Sequence, residues 1–133
     1  MSDNLPNTIL YPEQFKKSKP AGYDGVFDWS WTDGCFGKTK ITPMDWDGVV
    51  ERKGNFIVFE TKNPGQQIPD GQKFTLQAAH KTGLFTIMII WGKRIPESFE
   101  VWYPKGEVRK YSGIEKAKKI VSRWFEYANK NPR

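Results

Sequence analysis

The stretch "GLFTIMIIWG", residues 83–92, constrains this chain more than any other. Between its flanking glycines only Thr86 is polar. An amphipathic helix needs a polar face, and this run has none. A membrane span needs about 20 apolar residues, and this run falls far short. It suits a central strand buried on both faces. A chain holding such a strand must cover both sides of a sheet. At 133 residues it has enough length for one domain with a real core. Hydrophobic residues at 38%, aromatics at 15% and six Trp supply that core, and they place the chain among folded rather than disordered proteins.

Elements on either side follow from periodicity and turn chemistry. Residues 1–20 hold three prolines and a "KKSK" cluster, which predicts an irregular arm with one helical turn near Glu13–Lys17. In "YDGVFDWSWTDG", Phe27, Trp29 and Trp31 alternate with polar residues, which predicts a first strand over 25–31 with a buried aromatic face. A Gly-rich loop follows, closed by Pro43. The next strand is expected over Asp45–Arg52, then a turn in "RKGN" with Gly54 and Asn55 able to take positive φ, then a strand over Phe56–Lys62. The loop "NPGQQIPDG" leads to a helix capped by Asp70, running to about Lys81 and stopped by Gly83. Strands at 84–91 and 98–103 come next. The last helix starts from Ser112 as its cap and packs through Ile114, Ala117, Val121, Trp124 and Ala128. The expected class is α/β, a mixed sheet flanked by helices in a single domain over 1–133, with an arm at 1–22 and a basic helix at 112–129.

Charge and cysteine usage bound the partners. The formal net charge is +6, which favours a polyanionic partner, nucleic acid before membrane. Cys35 is the single cysteine, so no internal disulfide forms, and a reducing, cytoplasmic setting is expected. The opening "MSDNLPNTILYPEQ" has no basic segment followed by an apolar one, so no secretion signal is expected. His80 has no second His or Cys beside it to make a zinc site, and a packing role is expected.

The chemistry concentrates in "DGVVERKGNFIVFETK", residues 47–62. Glu60 and Lys62 share a face of their strand, and Thr61 takes the other. A hairpin turning at 53–54 sets Glu60 opposite Asp47, with Cβ atoms about 4.5–5.5 Å apart. Two carboxylates so placed repel unless they protonate or share a cation. A hard divalent ion such as Mg²⁺ takes one or two carboxylates together with waters and substrate phosphate. A neighbouring lysine can orient water or neutralise transition-state charge. These parts suit hydrolysis of a phosphodiester. Trp46, between Asp45 and Asp47, is expected on the face opposite the acids.

Asp47 followed by Glu60-Thr61-Lys62 resembles the PD-(D/E)xK nuclease superfamily, with its restriction-endonuclease-like fold. The thirteen-residue step across a Gly turn is similar to that of archaeal Holliday-junction resolvases and of small phage nucleases of the VRR-NUC type. The superfamily's αβββαβ core order corresponds to residues 23–91, roughly half the chain. The resemblance implies that Asp47, Glu60 and the Thr61 carbonyl bind Mg²⁺, or Mn²⁺ in its place. It implies that Lys62 positions the attacking water and that Gln72, ten residues past Lys62, contacts metal-bound water or phosphate. An acidic residue on a first helix is common in the family, and Glu13 is the nearest candidate. "PMDWD" stands where the family has Pro-Asp, so Asp45 competes with Asp47, and the register favours Asp47.

What the resemblance implies for function is a Mg²⁺-dependent deoxyribonuclease leaving 5′-phosphate and 3′-hydroxyl ends. Its setting would be recombination, repair or DNA processing in a phage-infected or bacterial cell, with a homodimer as a further expectation. Lys38, Lys40, Gln66, Gln67 and Lys73 are candidates for a rim that touches the DNA backbone, and Lys116, Lys118, Lys119 and Arg123 for a phosphate-contacting stripe. The alternative is a catalytically silent DNA-binding module that keeps the fold. DNA and RNA are not separated by the sequence, nor are branched, duplex and single-stranded substrates.

Overall fold

The computed structural model describes residues 27–133. The chain divides into two compact units, Met1–Asp45 and Trp46–Arg133. In the first, residues 27–45 form no strand. Ser30–Thr32 is a single 3₁₀ turn, and Phe27, Trp29 and Trp31 are all exposed. The strand expected over 25–31 is therefore corrected across its described residues. Local polar groups explain the difference. Asp28 Oδ1 accepts the Ser30 N–H at 2.9 Å, and Trp29 carbonyl accepts both the Thr32 N–H and the Thr32 hydroxyl, at 3.0 and 2.8 Å. Such side-chain bonds to nearby backbone compete with a strand ladder. The arm, the helical turn near Glu13 and Glu13 itself lie outside the described residues.

The second unit is a five-stranded mixed sheet with two helices. The strands are β1 (Gly48–Arg52), β2 (Asn55–Lys62), β3 (Phe85–Trp91), β4 (Ser98–Trp102) and β5 (Val108–Ser112). They lie side by side in chain order. Only β2 and β3 pair in parallel, and the other neighbours are antiparallel. A parallel pair cannot be joined by a tight turn. Its crossover is helix α1 (Asp70–Lys81), and helix α2 (Ile114–Lys130) closes the chain. The class is thus α/β as expected. Of the anticipated αβββαβ order, β1, β2, α1 and β3 supply the ββαβ portion.

Side-chain alternation along β2 dictates the layers. Val58 meets Leu76 of α1, Ile87, Ile89 and Trp102 on one face. Ile57 meets Trp124 and Ala128 of α2 on the other. Met88, Phe99 and Val101 extend that second face beneath Ala117 and Ile120. Ile57, Val58, Ile87 and Ile89 are fully buried, as a strand pair covered on both sides requires.

The β1–β2 turn is made by Lys53 and Gly54, at φ 50° and 83°, so positive φ falls at 53–54 and Asn55 begins the strand. That two-residue turn matches the twist of the flanking strands and locks Gly48 opposite Phe59. α1 spans the anticipated range, but Pro69 sits at its cap and Asp70 is its first residue. β5 was not anticipated. It takes Ser112 as its last residue, so Gly113, at φ 87°, precedes α2 where Ser112 was expected as cap.

Candidate functional site

β1 stops at Gly48, one residue short of Asp47. The pairing of Gly48 with Phe59 sets Asp47 beside Glu60, just past the end of the ladder. There the Asp47 N–H donates to Glu60 Oε1 at 3.4 Å. Asp47 Oδ2 accepts from both the Thr61 N–H and the Thr61 hydroxyl, each at 2.8 Å. The expected register therefore holds, while the side chain of Asp47 turns one residue further on, to Thr61. The cause is the missing strand. Beyond Gly48 the Thr61 N–H has no ladder partner, and a carboxylate oxygen is a strong substitute acceptor. In a strand the carbonyl of a residue points to the same side as its N–H. The Thr61 carbonyl thus opens toward Asp47 as well.

Glu60 is 1% exposed. A carboxylate so buried needs polar company, because desolvation disfavours it strongly. α1 supplies some of that company: Gln72, in its first turn, donates Nε2–H to Glu60 Oε2 at 2.6 Å. The Lys62 ammonium stands 3.9 Å from the same oxygen, and its side chain is 11% exposed. Asp47, Glu60, Thr61, Lys62 and Gln72 are thus brought into one contact network by β2, its flanking segment and the start of α1.

The remaining predicted residues fall elsewhere. Lys38, Lys40 and Asp45 belong to the unit ending at Asp45 and are exposed there. Gln66 is committed to its own loop: its side chain accepts the Asn63 N–H at 3.1 Å, and its carbonyl accepts Trp91 Nε1–H at 2.7 Å. Lys73 is exposed beside Gln72, and Gln67 is exposed in the loop. α2, with Lys116, Lys118, Lys119 and Arg123, covers the sheet face opposite Glu60. Trp46 is a correction. It packs with Val58 and Leu76 on the Glu60 face, its ring 5.9 Å from Phe85. Strict alternation does not reach Trp46, because the strand begins only at Gly48. His80 packs edge-on against Trp102 and bonds the Tyr103 carbonyl at 2.6 Å.

Sequence reasoning missed Trp91. It pairs with Lys62 across the parallel ladder and ties β3 to the loop after β2 through Gln66. The only signal available was its place at the end of the apolar run. Lys93 and Arg94, exposed directly after β3, were also passed over, although a charge pair closing a buried strand marks the sheet's outer end.

Gln72 leaves one polar atom unmatched. Its Nε2 faces Glu60, which turns Oε1 away, and Oε1 is buried with no hydrogen-bond partner among the described residues. A buried carbonyl oxygen in that state calls for a donor or a cation. Among the described residues no group of three or more His, Cys, Asp or Glu is placed to hold a metal. Mg²⁺ asks for less, one or two carboxylates with waters in the remaining positions. Two acids and a backbone carbonyl are hard-cation donors by their chemistry, although Asp47 turns its carboxylate to Thr61 and only its N–H reaches Glu60.

No helix among the described residues is long and apolar enough to cross a membrane. No family model matches the chain, and no curated protein or solved structure matches it either. What the fold and site define is therefore a class: an α/β unit with a five-stranded mixed sheet, carrying a buried carboxylate beside a lysine.

Proposed function

We propose that the chain is a Mg²⁺-dependent nuclease of PD-(D/E)xK type, acting on DNA. The observation that carries this reading is the buried Glu60 held between Gln72 and Lys62 at the open end of the β1–β2 ladder. A buried acid held beside an ammonium and an amide, at a strand end that also carries Asp47, is the arrangement this reading needs.

Asp47, Glu60 and the Thr61 carbonyl would hold the ion. When bound there, Mg²⁺ supplies charge neutralisation and acidifies water. Lys62, 3.9 Å from Glu60 Oε2, would donate a hydrogen bond to the attacking water or to a non-bridging phosphate oxygen. Gln72 fixes the Glu60 carboxylate, so that this acid does not reorient during the reaction. A water oxygen would attack phosphorus in line as the P–O3′ bond breaks; the water would lose a proton to solvent and the departing 3′-oxygen would take one from solvent, giving 5′-phosphate and 3′-hydroxyl ends.

The test is incubation of the purified protein with supercoiled plasmid and a labelled four-way junction, in Mg²⁺, Mn²⁺ or EDTA, beside Lys62→Ala. Metal-dependent cutting lost in the variant supports the nuclease. Binding without cutting by the wild-type protein would move the reading to a silent DNA-binding module.

A further inference from the structure

The Glu60 face of the sheet carries a second feature. Register and alternation place Glu60, Ile89, Glu100 and Lys110 in one row across β2–β5, and Lys62, Trp91 and Ser98 in the next. α1 covers the β2–β3 side of these rows through Leu76. Beyond Trp91 a groove of about 410 Å³ is lined by Trp91, Ser98, Glu100 and Lys110, together with Glu97 and the loop at 64–65. Its size is at the lower end for small-molecule sites. Glu60 and Glu100 lie two strand spacings apart, about 10 Å.

The groove has a particular chemistry. Trp91 offers a flat, partly exposed ring, held in place by its bond to the Gln66 carbonyl. Glu100 stands directly across from Lys110, and its Oε1 accepts Trp102 Nε1–H at 3.0 Å. Glu97 is exposed at the rim. Two carboxylates repel a phosphate backbone running along the groove. They accept hydrogen bonds from the amino and imino groups of a base edge. A ring to stack on, acceptors for a base edge and one ammonium for a single phosphate are the requirements of one nucleotide, taken out of any stack.

We infer that this groove holds one unpaired nucleotide of the substrate, next to the bond that is cut. The inference rests on the nuclease reading and narrows it. Preferred substrates are single strands, flaps or junctions with a splayed base, because a stacked and paired base cannot enter.

The test separates the groove from the catalytic site. Anisotropy is measured with a labelled single-stranded oligonucleotide and the matching duplex, in EDTA so that no cutting occurs. The wild-type protein binds the single strand about tenfold tighter than the duplex, the size of one stacking contact. Ser98→Trp fills the groove, and Lys110→Ala removes its ammonium. Both positions are exposed, Ser98 at the start of β4 and Lys110 on the edge strand β5. Each substitution lowers single-strand affinity by about fivefold or more and leaves duplex affinity within about twofold. Single-strand affinity unchanged in both variants, with Mg²⁺-dependent cutting intact, overturns the groove and leaves the nuclease. Equal losses for both substrates make Lys110 a general phosphate contact and also overturn it. Failure of the wild-type protein to bind either substrate overturns the nucleic-acid reading and the groove together.

Discussion

Gln72 donates its amide to Glu60 Oε2 at 2.6 Å, and that bond decides where the other end of the amide points. The carbonyl oxygen is left buried and without a partner among the described residues. Gln72→Ala removes a donor from a buried carboxylate, which costs about 1.5–3 kcal/mol of stability. Gln72→Glu sets a second carboxylate against Glu60, so its melting temperature falls in EDTA and recovers in part with Mg²⁺. Thermal melts with and without Mg²⁺ check both. On the nuclease reading, Gln72→Ala slows cleavage less than Lys62→Ala does, because Gln72 would orient a ligand while Lys62 would donate toward the reacting groups. The reverse order would exchange the two roles.

Asp47 presents its N–H to Glu60 and its Oδ2 to Thr61. Asparagine keeps an oxygen that accepts both Thr61 bonds, so Asp47→Asn changes stability by no more than about 1 kcal/mol. It removes the negative charge that a divalent ion requires. Cleavage is therefore abolished, while DNA affinity in EDTA stays close to wild type. Normal cutting by this variant would show that a residue other than Asp47 is the ligand.

The hairpin that frames this site was legible because its turn permits one register. Lys53 and Gly54 take positive φ, and Asp47 is then set beside Glu60. The direction of the Asp47 side chain was not legible, because it depends on where β1 stops. The interior of the sheet was read correctly from "FIVF" and "IMII", runs that only doubly covered strands tolerate. β5 escaped for the opposite reason. "VRKYS" is an edge strand with four of its five residues exposed, so its sequence carries the charges of a loop. The aromatic alternation at 27–31 misled because Asp28 and Thr32 satisfy the backbone locally, a choice that period alone does not reveal.

Tyr103 and Tyr111 share a hydrogen bond between hydroxyls at 2.9 Å. Burial, and then that bond, push the Tyr103 phenol up to about 12 from an ordinary 10.0. A raised folded-state value means that the folded protein holds the proton longer than the unfolded chain does. Its contribution to stability is complete below pH 10.0 and is lost as pH rises toward about 12. Tyr103→Phe removes this dependence. Denaturant midpoints measured across that alkaline window fall more steeply for the wild type than for the variant. Parallel curves would show that the hydroxyl pair contributes nothing to alkaline stability.

Gly92 closes β3 at the same end of the sheet as Lys62, whose carbonyl accepts the Gly92 N–H at 3.1 Å. The return is tight, because the Glu97 N–H donates to the Trp91 carbonyl at 2.9 Å. A Cβ on Gly92 would fall 2.1 Å from the Ile95 carbonyl oxygen, a backbone atom that cannot rotate away. Gly92→Ala therefore forces the 92–97 return to open, and overpacking against backbone costs about 1–3 kcal/mol or more. The disturbance reaches Lys62 and Trp91 before it reaches the core beneath α2. Expected, then, is a lower melting temperature together with faster amide exchange confined to 91–98 and to the end of β2. Hydrogen exchange followed by mass spectrometry reads both. Protection lost evenly across the whole sheet would show instead that this return is part of the global folding unit.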